Sequence, residues 1–220
     1  MIPINLEPLK PGEKFKFLCY KGIECFNKCC RNLSFDPNTL RHYQEKNRLG
    51  ISSSEFLEKY TVWHIGYNTG LPVVMLKMNG VCPFVSDEEC TIYPDRPGSC
   101  RLYPLVRIKT KDDEYYYALK DEYCKGFYED REWTIEEWID DQGVKIYNEM
   151  NDFFMKIILA KNKSRKELSD EEIKMIYTAC FDIDSFRDYA LNKGIISYPM
   201  DDLELMKFAI NWVVSEMFTE

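Results

Sequence analysis

Nine cysteines and only two histidines occur in this chain of 220 residues, and the placement of the cysteines constrains the fold more than any other feature. Eight of the nine precede residue 128, in two close groups and one later position. Such spacings let one loop surround one ion, because closing a short loop costs little entropy. The eight are Cys19, Cys25, Cys29 and Cys30 in the first group, Cys82, Cys90 and Cys100 in the second, and then Cys124.

The start of the sequence, MIPINLEPLK, lacks the apolar core of an export signal, which predicts a reducing, cytoplasmic location. Cysteines there are thiols or thiolates, and an odd number fits a disulfide framework poorly. Thiolate is a soft donor that selects zinc, cuprous copper or iron–sulfur clusters. Structural zinc and a cubane cluster each take four ligands. Eight cysteines therefore allow two four-ligand sites, one polynuclear site, or a smaller site in which some of the cysteines are not ligands.

The adjacent pair Cys29 and Cys30 bears on this choice. Neighbouring side chains usually diverge, so both are ligands most easily if they serve different metals or one multinuclear cluster. The spacing of Cys25 and Cys29 is also compatible with zinc. Cys180 lies among apolar residues of a predicted helix, where we expect it to be a core residue.

Charge changes along the chain at the point where the cysteines end. Residues 1–128 hold 18 Lys and Arg against 16 Asp and Glu, a net +2, whereas residues 129–220 hold 11 against 21, a net −10. The total of −8 argues against a nucleic-acid partner, which requires a basic face. No apolar run approaches the roughly 20 residues of a membrane span. We expect a cysteine-cluster domain over 1–128 and a helical extension over 129–220.

Local patterns predict an α+β protein, in which a small irregular cysteine-rich domain with short helices and strands precedes helices. Capping boxes open helices at Thr134 and Ser169, and Gly143 is a possible break in the first of them. Residues 161–167 are expected to form a polar linker, and the interval 79–104 has no strong pattern. Further elements are predicted at Val73 to Met78, Leu105 to Lys109 and Tyr115 to Leu119 (strands), and at Ser53 to Tyr60, Asp184 to Ala190 and from Asp201 onward (helices).

Three segments stand out: CPF from Cys82, CTIYPDRPGSCRLYP from Cys90 and CKG from Cys124. They resemble the motifs of the YkgJ-type cysteine-cluster proteins, a family described as zinc- or iron-chelating, and the resemblance covers about residues 15–150. It implies that all eight clustered cysteines are metal ligands. The first group departs from the family pattern, with intervals of five and three residues instead of two and two.

The cysteine-cluster segment is also similar to a segment of flagellin lysine-N-methylases that looks like an iron–sulfur site. This similarity favours an iron–sulfur cluster here. Arg96 and Arg101, which flank the last cysteines of the motif, are candidates to bind the cofactor by hydrogen bonds to its sulfurs. The alternative is that each of them is a surface arginine or binds a loop carbonyl.

Together these patterns predict a protein that holds an iron–sulfur cluster, with 4Fe–4S favoured and zinc as the alternative. Its expected role is electron transfer, cluster delivery or maturation of a partner protein, with no membrane and no nucleic acid as partner. Two other readings stay open: a protein-modifying enzyme of the lysine-N-methylase type, and a structural zinc module that mediates protein interaction. No donor-binding motif supports the enzyme, so the sequence leaves open whether the chain is one.

Overall fold

The computed structural model describes residues 5–31, 42–86 and 88–218, and it confirms the α+β class. The chain forms two compact units, each made of two separate stretches of sequence. Unit 1 comprises Met1–Ser34 and Met78–Ile146, and unit 2 comprises Phe35–Lys77 and Tyr147–Glu220. The sequence predicts a division into residues 1–128 and 129–220 from cysteine content and charge. The two units of the structure have different boundaries, because they are defined by which residues pack together.

The strands are short. They are β1 (Asn5–Leu9), β2 (Phe15–Lys16), β3 (Thr61–Ile65), β4 (Pro72–Leu76), β5 (Leu105–Lys109), β6 (Glu114–Lys120) and β7 (Glu132–Trp133). The helices are α1 (His42–Leu49), α2 (Ser53–Tyr60), α3 (Gly98–Leu102), α4 (Ile135–Asp141), α5 (Lys145–Ser164), α6 (Asp170–Cys180), α7 (Ile183–Asn192) and α8 (Asp202–Phe218).

Unit 1 is built around an antiparallel sheet in the order β1-β6-β5 and a two-stranded pair of β2 with β7. Its core is aromatic: Phe17 is 1% exposed and meets Trp138 edge to face, with ring centroids 5.5 Å apart. The indole N–H of Trp133 donates to the Phe17 carbonyl at 2.8 Å, which fixes the strand that leads into the first cysteine group. Helix α4 therefore anchors the cysteine-rich loops through its buried face.

Unit 2 combines the β3–β4 hairpin with helices α1, α2, α6, α7 and α8 and nearly all of α5. A charged cluster lies within it. The Lys46 ammonium is 3.1 Å from Asp184 and 3.2 Å from Asp202, and Arg187 binds both carboxylates. The side chain of Lys46 is only 6% exposed, so these charges are held largely away from water. Such a cluster stabilises one arrangement of its helices, because separating one partner leaves the others buried and unpaired.

Most predicted elements are confirmed, with shifts of a few residues. Both capping boxes are formed, at Thr134 and at Ser169, and Gly143 ends the first helix with a φ of +60°. The linker prediction is partly wrong, because α5 continues to Ser164 through its own backbone hydrogen bonds. Strands β1, β2, β3 and β7 and helix α3 are not among the predicted elements. Among the described helices, none has the length and apolar character needed to cross a membrane.

Candidate metal centre

All eight clustered cysteines belong to unit 1, and Cys180 belongs to unit 2, where it is buried on α6 as expected. The unit 1 cysteines are free thiols on irregular loops and short helices, at varied depth. Cys25 is buried, Cys19 and Cys29 are exposed, and the others are half-buried. His64 lies on β3, which belongs to unit 2, so it is in a different unit from the eight clustered cysteines.

The first cysteine group and the second are joined through their backbones. Residues 28–30 form a single 3₁₀ turn that carries Cys29 and Cys30. The Cys82 N–H donates to the Cys30 carbonyl at 2.8 Å, and Arg31 forms an antiparallel bridge with Val81. Two segments about fifty residues apart are thereby paired, one carrying Cys29 and Cys30 and the other carrying Cys82.

The second group folds back on itself. Val85 and Cys90 form an antiparallel bridge, and the Thr91 N–H donates to the Phe84 carbonyl at 2.8 Å. These contacts close a narrow loop that carries Cys82 at its start and Cys90 near its end. Cys100 follows on the short helix α3.

Cys124 is brought to the first group by close backbone contact. The Leu18 N–H donates to the Gly126 carbonyl at 3.0 Å, and the Lys125 N–H donates to the Cys25 sulfur at 3.1 Å. Gly126 lies so near Phe17 that a Cβ there would be 2.7 Å from the Phe17 ring. The late Cys-x-Gly motif therefore needs glycine at this position, because any larger residue would clash with Phe17.

Backbone N–H groups point at three more of these sulfurs. Burial raises the pKa of the Cys82, Cys90 and Cys124 thiols, and hydrogen bonds from the chain oppose this effect. In each case a donor is the N–H two residues ahead, on Phe84, Ile92 and Gly126 respectively. Such bonds favour thiolate over thiol, but burial is the larger effect and the pKa of each of these thiols is raised overall.

The thiols also influence one another's ionisation. The Cys30 thiol donates a hydrogen bond to the Cys29 sulfur, which lowers the pKa of Cys29 to about 7 and raises that of Cys30. Desolvation, followed by the like charges of Cys29, Cys124 and Cys25, raises the pKa of Cys19 to about 12. Thiolates at this density repel one another, so a cation is needed to hold several of them charged together.

Arg101 organises the loop that precedes it. Its Nε donates to the Arg96 carbonyl at 3.0 Å and one Nη to the Gln142 carbonyl at 2.9 Å, while the other Nη binds the Pro94 carbonyl. These contacts match the carbonyl-binding alternative and join the motif loop to the end of α4.

Arg96 combines a structural contact with an electrostatic one. Its guanidinium stacks over the Tyr93 ring at 4.2 Å and binds the Gln142 side chain. Its positive charge also acts to lower the pKa of Cys90 and of Cys19, against the larger effect of burial. A direct hydrogen bond from Arg96 or Arg101 to a cofactor sulfur stays a prediction.

Two contributors to the site were missed at the sequence level. The Tyr103 hydroxyl donates to the Cys124 sulfur, and burial together with this bond raises the pKa of Tyr103. The Lys125 N–H to Cys25 is a backbone contact, which leaves no signal in a residue type. The tyrosine stands in the RLYP segment of the motif, but its residue type does not show that its hydroxyl reaches a sulfur.

The donor set fits a thiolate-bound metal in chemistry. The sulfurs are soft, clustered and supplied with N–H donors, and these are the features that stabilise metal thiolates. Within residues 5–31, 42–86 and 88–218, no three His, Cys, Asp or Glu side chains are already arranged as a group that could hold a metal ion.

Cys19 occupies a distinct position at the edge of this set. It lines a cleft of about 370 Å³ together with Leu18, Arg131, Trp133, Trp138, Asp141 and Gln142. The cleft leaves Cys19 open to solvent, whereas Cys25 is enclosed by protein.

Comparison with known proteins identifies one family. The model of the CxxCxxCC family, described as "Putative zinc- or iron-chelating domain", matches residues 18–136, more than half of the chain. The matched span contains all eight clustered cysteines. Neither the curated proteins nor the solved structures gave a match.

Proposed function

Because the chain belongs to the CxxCxxCC family of zinc- or iron-chelating domains, which supports metal binding in general, we propose that unit 1 holds an iron–sulfur cluster through its cysteines. A 4Fe–4S cluster is favoured. The observation that carries the proposal is the pairing of cysteine-bearing segments that are far apart in the chain. The Cys82 N–H donates to the Cys30 carbonyl at 2.8 Å, and the Lys125 N–H, next to Cys124, donates to the Cys25 sulfur at 3.1 Å. When bound, such a cluster supplies one-electron redox chemistry.

The chain's own groups support thiolate ligation. The Lys125 N–H and the Tyr103 hydroxyl donate to sulfurs of Cys25 and Cys124, and hydrogen bonds of this kind tune the affinity and potential of a metal site. The adjacent pair Cys29 and Cys30 favours a multinuclear centre over a single zinc ion, because neighbouring thiolates reach different metal atoms most easily.

The proposed role is electron transfer, cluster delivery or maturation of a partner protein in the cytoplasm. Nine free thiols are compatible with a reducing compartment. Four tyrosines close in sequence to the cysteines are exposed: Tyr20, Tyr93, Tyr123 and Tyr128. Exposed aromatic rings beside a metal site are suited to contact with a protein, since aromatic residues are enriched at protein interfaces.

Zinc is the second candidate, because the family description names it and because the interval between Cys25 and Cys29 falls within zinc-site spacing. The methylase reading rests on resemblance alone and stays a prediction.

Anaerobic isolation from iron-replete cells separates the candidates. We expect brown protein that contains iron and acid-labile sulfide and that bleaches on reduction. Cys90→Ser should lower the metal content, while the matched Cys180→Ala should leave it unchanged. Colourless protein with stoichiometric zinc and no sulfide would show that unit 1 is a zinc module and does not hold an iron–sulfur cluster. Protein without either metal would contradict metal binding itself.

A further inference from the structure

The β3–β4 hairpin of unit 2 has one strand edge without a partner strand, and its register fixes which backbone groups point to that edge. The Lys77 N–H donates to the Tyr60 carbonyl at 2.8 Å just before β3, so residue 60 is a hydrogen-bonded position. Such positions alternate along an antiparallel pair, so the N–H and carbonyl groups of Trp63 and Ile65 point away from β4. In the part of the chain that the structure describes, no other strand pairs with β3.

The side chains of β3 do not protect this edge. Val62, Trp63 and Ile65 are each 48% or 49% exposed. Edge strands are usually blunted by charged residues or proline, because open backbone groups otherwise pair with another chain. Among the described strands, β3 alone carries neither. The others carry Glu7 and Pro8 in β1, Lys16 in β2, Pro72 in β4, Arg107 and Lys109 in β5, Glu114 and Lys120 in β6, and Glu132 in β7.

The open edge is complementary to a second copy of itself. Thr61, the first residue of β3, is buried, and its N–H already donates to the Leu57 carbonyl. The open groups of the strand are therefore those of Trp63 and Ile65. Two copies that pair antiparallel about His64 place Trp63 of each copy opposite Ile65 of the other. Both residues point outward in both copies, so each pair exchanges two hydrogen bonds.

Side chains and charge favour the same pairing. Trp63 and Ile65 lie on one face of the hairpin, and an aromatic ring opposite a β-branched side chain is a stabilising cross-strand pair. No Asp, Glu, Lys or Arg occurs from Tyr60 to Leu76. The paired segments of two copies therefore meet without like charges, although each chain has a net charge of −8.

Pairing of this kind closes after two copies. A two-fold axis uses the open edge of both hairpins and leaves β4 as the outer strand on each side. At its outward positions β4 has Pro72, which has no N–H to donate, and Val74, which is fully buried. The sheet therefore ends at four strands and does not grow into a fibre.

We propose that the chain forms a two-fold dimer through β3, in which the two hairpins join into one antiparallel sheet centred on His64. A contact between two five-residue strands is small for an interface, so the dimer dissociates on dilution. The contact lies in unit 2, so it does not depend on the metal proposed for unit 1. Each dimer carries two cysteine-rich units.

Sedimentation velocity of the full chain in reducing buffer, up to sub-millimolar concentration, measures this association. We expect the wild type to shift from monomer to dimer as its concentration rises. Ile65→Lys should stay monomeric, because it places a charge on the paired edge. The matched control is Ile108→Lys on β5, where the isoleucine is 44% exposed, and this variant should dimerise like the wild type.

Two results of this experiment would overturn the proposal. A wild type that stays monomeric would leave the edge to a strand of another protein. An Ile65→Lys chain that dimerises as strongly as Ile108→Lys would place the contact between copies elsewhere.

Amide hydrogen exchange of the wild type, followed residue by residue by NMR, needs no variant. The N–H groups of Trp63 and Ile65 should exchange slowly at high protein concentration and rapidly at low concentration. The N–H of His64, which faces β4 in each copy, should be protected at both. Protection of Trp63 and Ile65 that does not change with concentration would show that the chain itself covers the edge, and would overturn the proposal. A dimer in which these two amides exchange rapidly would also overturn it.

Discussion

Replacing Gly126 by Ala tests how the late Cys-x-Gly motif holds Cys124 against the first cysteine group. A Cβ at this position would lie 2.7 Å from a Phe17 ring carbon and 2.9 Å from the Leu18 carbonyl oxygen, whereas ordinary contact begins near 3.4 Å. Phe17 is enclosed in the core, and the Leu18 oxygen belongs to backbone already paired with residue 126. Neither neighbour is the far end of a flexible side chain, so the two segments must separate.

The expected cost follows from these contacts. Overpacking a filled core costs about 1–3 kcal/mol, and losing the Leu18–Gly126 hydrogen bond costs about 0.5–1.5 kcal/mol. Alanine also lowers the conformational entropy of the unfolded chain, which offsets about 0.4–1 kcal/mol of this loss of stability. We expect Gly126→Ala to lower the free energy of unfolding by about 2–3 kcal/mol in urea, measured on the reduced chain. Bound metal should fall as well, because Cys124 moves away from Cys19.

Gly12→Ala is the matched control. Gly12 has a φ of +77° and open space around its Cα, so alanine there costs about 1–2 kcal/mol through backbone strain alone. That variant should lose stability and keep its full metal content. If Gly126→Ala unfolds at the wild-type urea concentration, the close approach does not hold the loop and the reasoning is wrong. If Gly12→Ala loses metal equally, the effect is one of general instability.

Two further changes probe the charged cluster and the sulfur ligands. Lys46→Met should lower the free energy of unfolding by about 3 kcal/mol at pH 7, since it removes the cation from a largely buried group. Burial acts to raise the pKa of Asp184, but its hydrogen bonds and cationic neighbours hold that pKa below the usual value. The stability that this carboxylate contributes is therefore present at neutral pH and is lost as the pH falls through the folded pKa, below about pH 4. Urea unfolding of the Lys46→Met variant at several pH values should therefore show a smaller loss of stability on acidification than the wild type. An equal loss would contradict the role given to the Lys46–Asp184 pair. Tyr103→Phe should weaken metal binding by about 10-fold or more in chelator competition, because it removes the hydroxyl that donates to Cys124. Equal weakening by the exposed control Tyr128→Phe would refute that role.

The elements that sequence predicted best are those with local signals. The capping boxes at Thr134 and Ser169 are complete within four residues, and β5 is the predicted Leu105 to Lys109. Strand β1 carried no such signal, because its hydrogen bonds go to β6, more than a hundred residues away. The polar composition of 161–167 indicated a linker, yet lysine is a good helix former, and Lys161 and Lys163 continue α5 once it has been nucleated upstream.

The same distinction applies to the candidate site. Residue type alone identified the eight cysteines as one chemical set. Which thiols are neighbours depends on pairings such as Cys30 with Cys82 and Leu18 with Gly126, between segments fifty to a hundred residues apart. Nothing in the spacing of the cysteines encodes those pairings.

The interval 79–104 shows how the loops are held between these pairings. Because this interval has no apolar pattern, contacts other than apolar burial must offset its chain entropy, and metal–thiolate bonds are one such contact. Side chains contribute to that task without sulfur: Arg101 binds three loop and helix carbonyls, and the Trp138 indole N–H donates to the Leu102 carbonyl at 3.0 Å. Because these contacts do not depend on a metal, the segment around α3 should stay ordered when ligands are lost. The turn at residues 28–30 is secured mainly by backbone hydrogen bonds, so removal of metal should loosen Cys29 and Cys30 before Cys100.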